Sequence, residues 1–193
     1  MCYYSFCEHV YKREEPMPKI LEEVRTRAIQ ALRNQIAQGG FEKATMRSIA
    51  SELGISAATL YHYFASKEDL IAAMIVEDWK PVSEKIREEA EQCPDAEEVC
   101  AMLYTNLLAF SSSHQSVFSS LSSSDILKDQ GPGFHSRLVS IMKDMILEKM
   151  EAKDERAVQC AEGCAELLLA GVREKRNYES MKFAINTLTG GKQ

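Results

Sequence analysis

The side chains best placed to do chemistry lie between Thr45 and Lys67, and they are hydroxyls, phenols and cations. Such groups bind phosphate oxygens and base edges rather than make or break bonds. The four histidines are scattered, and the sequence has no HExxH, GxSxG or P-loop pattern. We therefore predict that the protein is not an enzyme, with no catalytic residue, no cofactor and no metal site.

Two short helices joined by a tight turn are expected to position these groups. Thr45 is predicted to cap a helix over 46–53, and Ser56 to cap a second helix over 57–64. Gly54 between them is free to adopt the left-handed turn conformation. This order and spacing are typical of a helix-turn-helix.

The same segment resembles the DNA-binding domain of the tetracycline-repressor (TetR) family over about residues 19 to 72. Its most distinctive part is the pattern Thr-Leu-Tyr-x-Tyr-Phe-x-x-Lys-x-x-Leu over 59–70. The other matching motifs are Gly40-Phe41, Thr45–Ala50 and Leu53–Ser56. The resemblance implies an all-α fold, in which an N-terminal three-helix helix-turn-helix domain precedes a C-terminal helical ligand-binding and dimerisation domain.

The resemblance also implies which residues contact DNA. The helix Ala57–Tyr63 would lie in the major groove. The side chains facing base edges would be Ala57, Ala58, Thr59 and His62. Those near phosphates would be Tyr61, Tyr63 and Lys67, with Thr45 and Arg47 contacting the backbone or an adjacent base.

Several of these residues have a second interpretation. Phe64, and to a lesser extent Tyr61, suit core packing. Lys67 suits a solvated helix start, and Arg47 suits either an ion pair with Glu52 or a position in solvent. These alternatives stay open on the sequence alone.

The predicted domains are a tail over 1–16, the helix-turn-helix domain over 17–66 and a helical effector-binding and dimerisation domain over 67–193. The tail lacks a helical period, and Met17 is an alternative natural start. Pro81 is expected to kink or break the helix that begins at residue 67. Gly131-Pro132-Gly133 is expected to break the chain.

The family's helical second domain directs attention to two further sets of residues. Apolar and soft side chains with a few polar groups suit a small-molecule pocket, although core packing is the more common role. The pocket candidates are Met102, Asn106, Phe110, Phe118, Phe134, His135, Met142 and Met145. The dimer-interface candidates, on the last two helices, are Ala161, Cys164, Ala165, Leu168, Val172, Met181, Ile185 and Leu188.

These features predict a cytoplasmic, dimeric regulator of transcription, most simply a repressor released from DNA by a small molecule. Its partners would be a double-stranded DNA operator, a second copy of itself and an unknown small-molecule effector, with no membrane. The alternative is a regulator without a small effector, responding to a protein partner or to oxidation of Cys160 and Cys164, which are four residues apart.

The net charge of −6 argues against nucleic-acid binding until it is divided along the chain. Residues 17–70 hold seven basic and six acidic side chains, for +1. Residues 71–193 hold fourteen and twenty, for −6, and residues 1–16 hold two and three, for −1. The acidity therefore belongs to the predicted effector domain, and the charge does not exclude a DNA-binding N-terminal domain.

Overall fold

The computed structural model describes residues 19–121 and 131–190, apart from the side chains of 19–21, 119–121 and 131–134. The predicted tail and the Phe134 side chain lie outside this part. The described residues form helices and no strand, which confirms the all-α prediction. In chain order they are α1 (Lys19–Gly39), α2 (Met46–Leu53), α3 (Ala57–Tyr63), α4 (Lys67–Gln92), α5 (Ala96–Ser113), α6 (Gln115–Leu121), α7 (Gly131–Lys149), α8 (Glu155–Glu174) and α9 (Glu179–Thr189). None of these described helices is long and apolar enough to cross a membrane.

The chain divides into two compact units, Met1–Lys80 and Pro81–Gln193. The sequence placed the domain boundary at the start of α4, whereas this division falls inside α4. The first half of α4 is tied to α1 by Arg33, which lies 3.3 Å from a carboxylate oxygen of Glu77 and 2.6 Å from one of Asp78. The first unit therefore extends beyond the helix-turn-helix itself.

Apolar residues at three- and four-residue steps give α1 one buried face. Ile29 and Leu32 on this face have no solvent exposure. Ile49 of α2 and Leu60 of α3 are also fully buried. The first unit thus has a small core to which each of its first three helices contributes.

In the second unit, α8 packs against α5, α7 and α9, and α5 packs against α7. Leu103 of α5, Met142 and Ile146 of α7, and Leu168 of α8 are each at most 1% exposed. The apolar stripes predicted from helical spacing therefore meet in a helical core.

Helices α8 and α9 approach each other at Gly171. A Cβ atom added there would lie 2.5 Å from the Met181 sulfur and 3.2 Å from the Tyr104 ring. A side chain at this position must displace the end of the Met181 side chain, so the seating of Met181 against α8 depends on the missing Cβ atom.

The expectation that Pro81 breaks its helix is wrong, because α4 runs without interruption from Lys67 to Gln92. Proline removes one helical hydrogen bond. Apolar residues on both sides offset this loss by burial, among them Val76 and Trp79 before Pro81 and Ile86 after it.

The expected break at Gly131-Pro132-Gly133 needs a similar correction. These residues form the first turn of α7, which begins at Gly131. Amide groups in the first turn of a helix have no helical acceptor, so a proline there costs no hydrogen bond.

Helices α2 and α8 end in the same way. Gly54 has φ 71°, and its N–H and that of Ile55 donate to the carbonyls of Ser51 and Ala50 at 3.1 and 3.0 Å. At the end of α8 the left-handed residue is Lys175, with φ 53°. Both are Schellman endings, but only Gly54 adopts this conformation without strain on a Cβ atom.

We predict opposite effects from exchanging residue types at these two ends. Gly54→Ala should lower, and Lys175→Gly should raise, the free energy of unfolding by about 0.5–1 kcal/mol. This figure is the strain of a Cβ atom in the left-handed conformation minus the opposing change in the entropy of the unfolded chain. Urea titration, with hydrogen exchange to assign each change to its unit, measures both. A loss of stability in Lys175→Gly would contradict the strain assigned to the left-handed conformation of Lys175.

Candidate nucleic-acid interface

The start of α2 is fixed by reciprocal hydrogen bonds, which confirms Thr45 as its N-cap. Thr45 Oγ1 accepts from the Ser48 N–H at 3.1 Å, and Ser48 Oγ accepts from the Thr45 N–H at 2.9 Å. Ser48 Oγ also donates to Gln35 Oε1 of α1 at 2.7 Å. The first turn of α2 is therefore held both locally and against α1.

Helix α3 begins at a second cap, since Ser56 Oγ accepts from the Thr59 N–H at 3.0 Å. Leu60 is fully buried, and Phe64, the residue after the helix, is 3% exposed. The predicted core role of Phe64 is confirmed. Buried contacts at Leu60 and Phe64 hold α3 in place and leave its other face outward.

The outward face of α3 carries Ala58, Tyr61 and His62, all exposed. Tyr61 is 51% exposed, so the interpretation of Tyr61 as a core residue is wrong. The other predicted contacts on α3 are half-buried; they are Ala57, Thr59 and Tyr63.

Four predicted DNA contacts line one open concavity of about 520 Å³; they are Thr45, Arg47, Tyr61 and Lys67. Ser66 also lines it and caps α4, because its Oγ accepts from the Asp69 N–H at 3.1 Å. Two helix N-termini, those of α2 and α4, therefore border the concavity. Helix N-termini favour anions, which suits a phosphate group here.

Arg47 is exposed and has no hydrogen-bond or ion-pair partner among the residues described. Of the two alternatives, the ion pair with Glu52 is not formed, and Glu52 instead accepts from Gln35 Nε2 at 2.7 Å. The exposure of Arg47 fits the other alternative, a position in solvent, and the predicted DNA contact stays a prediction. Lys43, in the turn before Thr45, is also exposed and unpaired within the described part of the chain. Lys43 was not among the predicted contacts, although its place two residues before the N-cap is visible in the sequence.

Lys67 is half-buried and bound within the domain. Its Nζ donates to the carbonyl oxygen of Phe41 at 2.7 Å and lies 3.9 Å from the centroid of the Phe41 ring. Partial burial lowers the pKa of Lys67, against the opposing effects of Glu42 and Glu68. The alternative of a merely solvated helix-start residue is therefore wrong, and the predicted phosphate contact stays a prediction.

Among the pocket candidates in the second unit, Asn106 is the buried polar residue. Its amide donates to Glu89 Oε2 at 2.8 Å and to the Met102 carbonyl at 3.0 Å, and it accepts from Lys85 Nζ at 3.1 Å. The polar partner that a buried amide requires is thus supplied by α4 and by its own helix.

The expectation that His135 faces a pocket needs correction. It is exposed, and its Nε2 lies 3.0 Å from both carboxylate oxygens of Glu166, which binds it at the surface of α7 and α8. Met142 is buried, and four other candidates are half-buried: Met102, Phe110, Phe118 and Met145. Their role as a pocket stays a prediction.

The residues predicted at the dimer interface also need correction. Seven of the eight are at most 9% exposed within a single chain: Ala161, Cys164, Ala165, Leu168, Val172, Met181 and Ile185. They pack α8 and α9 into the core of their own unit, and only Leu188 is partly accessible. Helical spacing identified the apolar face of α8 and α9 correctly, but it did not show that the same unit covers this face.

Cys160 and Cys164 lie one turn apart on α8, as their spacing predicts. Cys164 also interacts with Cys100 of α5, and both Cys100 and Cys164 are fully buried. Hydrogen bonding to Cys164 and burial raise the pKa of Cys100. Cys160 is half-buried.

The geometry of α2, the Gly54 turn and the outward face of α3 defines a helix-turn-helix DNA-binding domain. Residues 28–74 match the family described as bacterial regulatory proteins, tetR family. This match confirms, for the N-terminal domain, the resemblance seen in the sequence.

Two relatives extend the match. The HTH-type transcriptional regulator UidR of Escherichia coli (strain K12) is 42% identical over 67 residues, 35% of this chain and 34% of UidR. The HTH-type transcriptional repressor AcnR of Corynebacterium diphtheriae is 25% identical over 130 residues, 66% of this chain and 63% of AcnR. The chain thus spans about a third of the length of UidR.

Among solved structures, that of BioQ is 19% identical and covers 86% of this chain and 96% of its own, with a TM-score of 0.50. This likeness shows the fold alone.

We predict that the cysteines differ in reactivity. Because the reagent must reach the sulfur and both side chains are fully buried, Cys100 and Cys164 should be alkylated by iodoacetamide more slowly than the half-buried Cys160 at neutral pH. Mass spectrometry of peptides after timed alkylation measures each site, and unfolding in urea should abolish the difference. Equal rates at all three sites in the folded protein would contradict the buried pair.

Proposed function

We propose that the chain is a sequence-specific DNA-binding regulator of transcription, a dimeric repressor that a small-molecule effector releases from its operator. The observation that carries this proposal is the exposed face of α3 beside the concavity lined by Thr45, Arg47 and Tyr61. UidR is named a transcriptional regulator and AcnR a transcriptional repressor, which supports the same class of function here.

Base readout would be sparse in hydrogen bonds. His62 is an exposed ring donor or acceptor, while Ala57 and Ala58 offer methyl groups suited to thymine. Arg47 and the Tyr61 hydroxyl, which line the concavity, would bind phosphates beside the groove. Specificity would therefore depend partly on the shape of the operator.

A dimer would place two copies of α3 about 34–36 Å apart on successive major grooves. The outer faces of α8 and α9 support self-association, because Phe183 is 74% exposed and Leu167 and Leu188 are only half-buried. A self-complementary patch of this kind is typical of two-fold interfaces. This surface replaces the buried residues expected from the sequence.

The second unit supports binding of a small effector through its composition. Half-buried Phe110, Phe118 and Met145 are adaptable apolar groups, and the buried Asn106 amide offers directional hydrogen bonds. An effector that binds better to a conformation with weak DNA affinity releases the operator by population shift.

The DNA-binding claim is tested on an operator selected from genomic fragments by the purified protein. Arg47→Ala should weaken binding to all sequences alike and reduce the salt slope by about one, as expected when one phosphate contact is lost. His62→Ala should instead relax preference at one base position. Fluorescence anisotropy at several salt concentrations measures both.

Arg156→Ala is the matched control, because Arg156 is an exposed arginine at the start of α8, in the other unit. It should leave the affinity and the salt slope unchanged. Failure of the protein to enrich any fragment would refute the proposed DNA binding. An unchanged salt slope in Arg47→Ala would refute the phosphate contact assigned to Arg47.

Release is tested by adding the dialysable fraction of a host-cell extract to the preformed protein–operator complex. Loss of anisotropy that is weakened by Asn106→Leu, but not by the exposed-site control Glu162→Gln, would support a pocket near Asn106. No release by any such fraction would count against the small-effector part of the proposal.

The alternative function, a regulator that responds to thiol oxidation instead of a small effector, is favoured by one interaction, that of Cys100 with Cys164. Hydrogen peroxide would oxidise the two thiols to a disulfide, with both thiol protons and the two peroxide oxygens leaving as two waters. Burial and the raised pKa of Cys100 slow this step, so the small-molecule proposal stays first. A peroxide-dependent loss of operator affinity that Cys100→Ser removes and Cys160→Ser retains would reverse this order.

A further inference from the structure

One amide side chain of α1 is hydrogen-bonded to both the first and the last turn of α2. Gln35 Nε2 donates to Glu52 Oε2 at 2.7 Å, and Gln35 Oε1 accepts from Ser48 Oγ at 2.7 Å. We infer that Gln35 and Glu52 are positioning residues for DNA binding, because they hold α2 where its first turn meets a phosphate. This inference rests on the proposed DNA-binding function and adds two residues that make no expected contact with DNA.

The direction of each hydrogen bond follows from the chemistry of the groups at its two ends. The carboxylate of Glu52 only accepts, so the amide nitrogen of Gln35 must face it. The amide oxygen then faces Ser48 and also only accepts, so the Ser48 hydroxyl donates to it. This contact, at 2.7 Å, is shorter than the 2.9 Å from Ser48 Oγ to the Thr45 carbonyl oxygen. The carboxylate in the last turn of α2 therefore sets the orientation of the hydroxyl in the first turn.

Ser48 passes this restraint to the N-cap of α2. Its Oγ accepts from the Thr45 N–H at 2.9 Å and from Thr45 Oγ1 at 3.1 Å, and Thr45 Oγ1 accepts from the Ser48 N–H at 3.1 Å. Thr45 and Arg47 are exposed and line the concavity. The groups proposed to meet DNA at the start of α2 are thus tied to α1 through the Gln35 amide.

Apolar packing alone does not fix α2 in this way. Ile49, Ala50 and Leu53 are buried and α1 packs against α2, but apolar contacts are non-directional and allow small shifts. Ser48 and Glu52 are four residues apart, so they lie on the same side of the helix. Two directed hydrogen bonds one turn apart resist both rotation and sliding of α2 against α1.

The charge of Glu52 gives the opposite expectation, which makes the inference testable. A carboxylate repels the phosphates of DNA, so electrostatics alone predicts that its removal does not weaken binding. Glu52→Gln and Glu52→Met remove the same charge and introduce good helix formers, but only the glutamine side chain keeps an oxygen that accepts from Gln35. Glu52→Met should therefore bind the operator about two- to tenfold more weakly than Glu52→Gln, the scale of a lost hydrogen bond.

Gln35→Met keeps the length of the side chain and removes both hydrogen bonds. It should also weaken operator binding about two- to tenfold, and Glu52→Met should add little in that background, because both changes break the same link. Gln38→Met is the matched control, since Gln38 is an exposed glutamine on the same helix, and it should leave the affinity unchanged. Fluorescence anisotropy measures affinity, and circular dichroism with stoichiometric titration gives the folded, active fraction of each variant.

A scan of the operator phosphates separates positioning from a general loss of stability. Each phosphate is replaced in turn by a neutral methylphosphonate, and the resulting loss of affinity is measured. Thr45→Val identifies the phosphate at the start of α2, because neutralising that phosphate should weaken this variant less than the unmodified protein. Gln35→Met should show the same reduced loss at that phosphate. The loss at phosphates identified in the same way by Lys67→Met, at the start of α4, should not change.

Equal affinities of Glu52→Gln and Glu52→Met would overturn the inference, and this pair decides the question if Gln35→Met folds poorly. A change in Gln35→Met at every phosphate alike, or at none, would overturn it as well. Failure of the unmodified protein to bind any operator is a different result, since it refutes the proposed function before Gln35 is examined.

Discussion

The outward presentation of α3 depends on the burial of Leu60. This helix has seven residues, too few to form alone in water, so its conformation must come from packing and caps. Full burial of one leucine contributes about 1.5–3 kcal/mol. Leu60 supplies that burial, Ser56 satisfies the first amides, and the Gly54 turn sets the direction of entry. Tyr61 and His62 are exposed because their neighbour is held inside.

Local signals made the helix-turn-helix predictable. A side chain that caps a helix acts within three residues of its own position, so Thr45 and Ser56 could be assigned from spacing alone. The same local geometry occurs at Asp95 and Asp154, which cap α5 and α8. The left-handed turn at Gly54 is likewise a property of one residue and its neighbours.

Other features depend on parts of the chain distant in sequence and could not be read from spacing. An apolar stripe on α8 shows that one face is covered but not by what, and here the cover is the same chain. The two partners of Arg33 are more than forty residues away, and Phe41 lies 26 residues before Lys67. Arg33 is paired with two carboxylates that lie outside residues 17–70, so the formal charge of +1 for these residues overstates the positive charge that the N-terminal domain presents to DNA.

The missing side chain at Gly171 has a consequence for the choice of a partner in the proposed dimer. Met181 seats against Gly171, which limits how far α9 can slide along α8. Phe183 follows two residues later, on the opposite side of α9, and is 74% exposed. The position of this outer aromatic ring is therefore set by an interior contact. Related regulators in one cell could avoid mixed subunits through a difference at such a hidden glycine, with no change in the residues that touch across the interface.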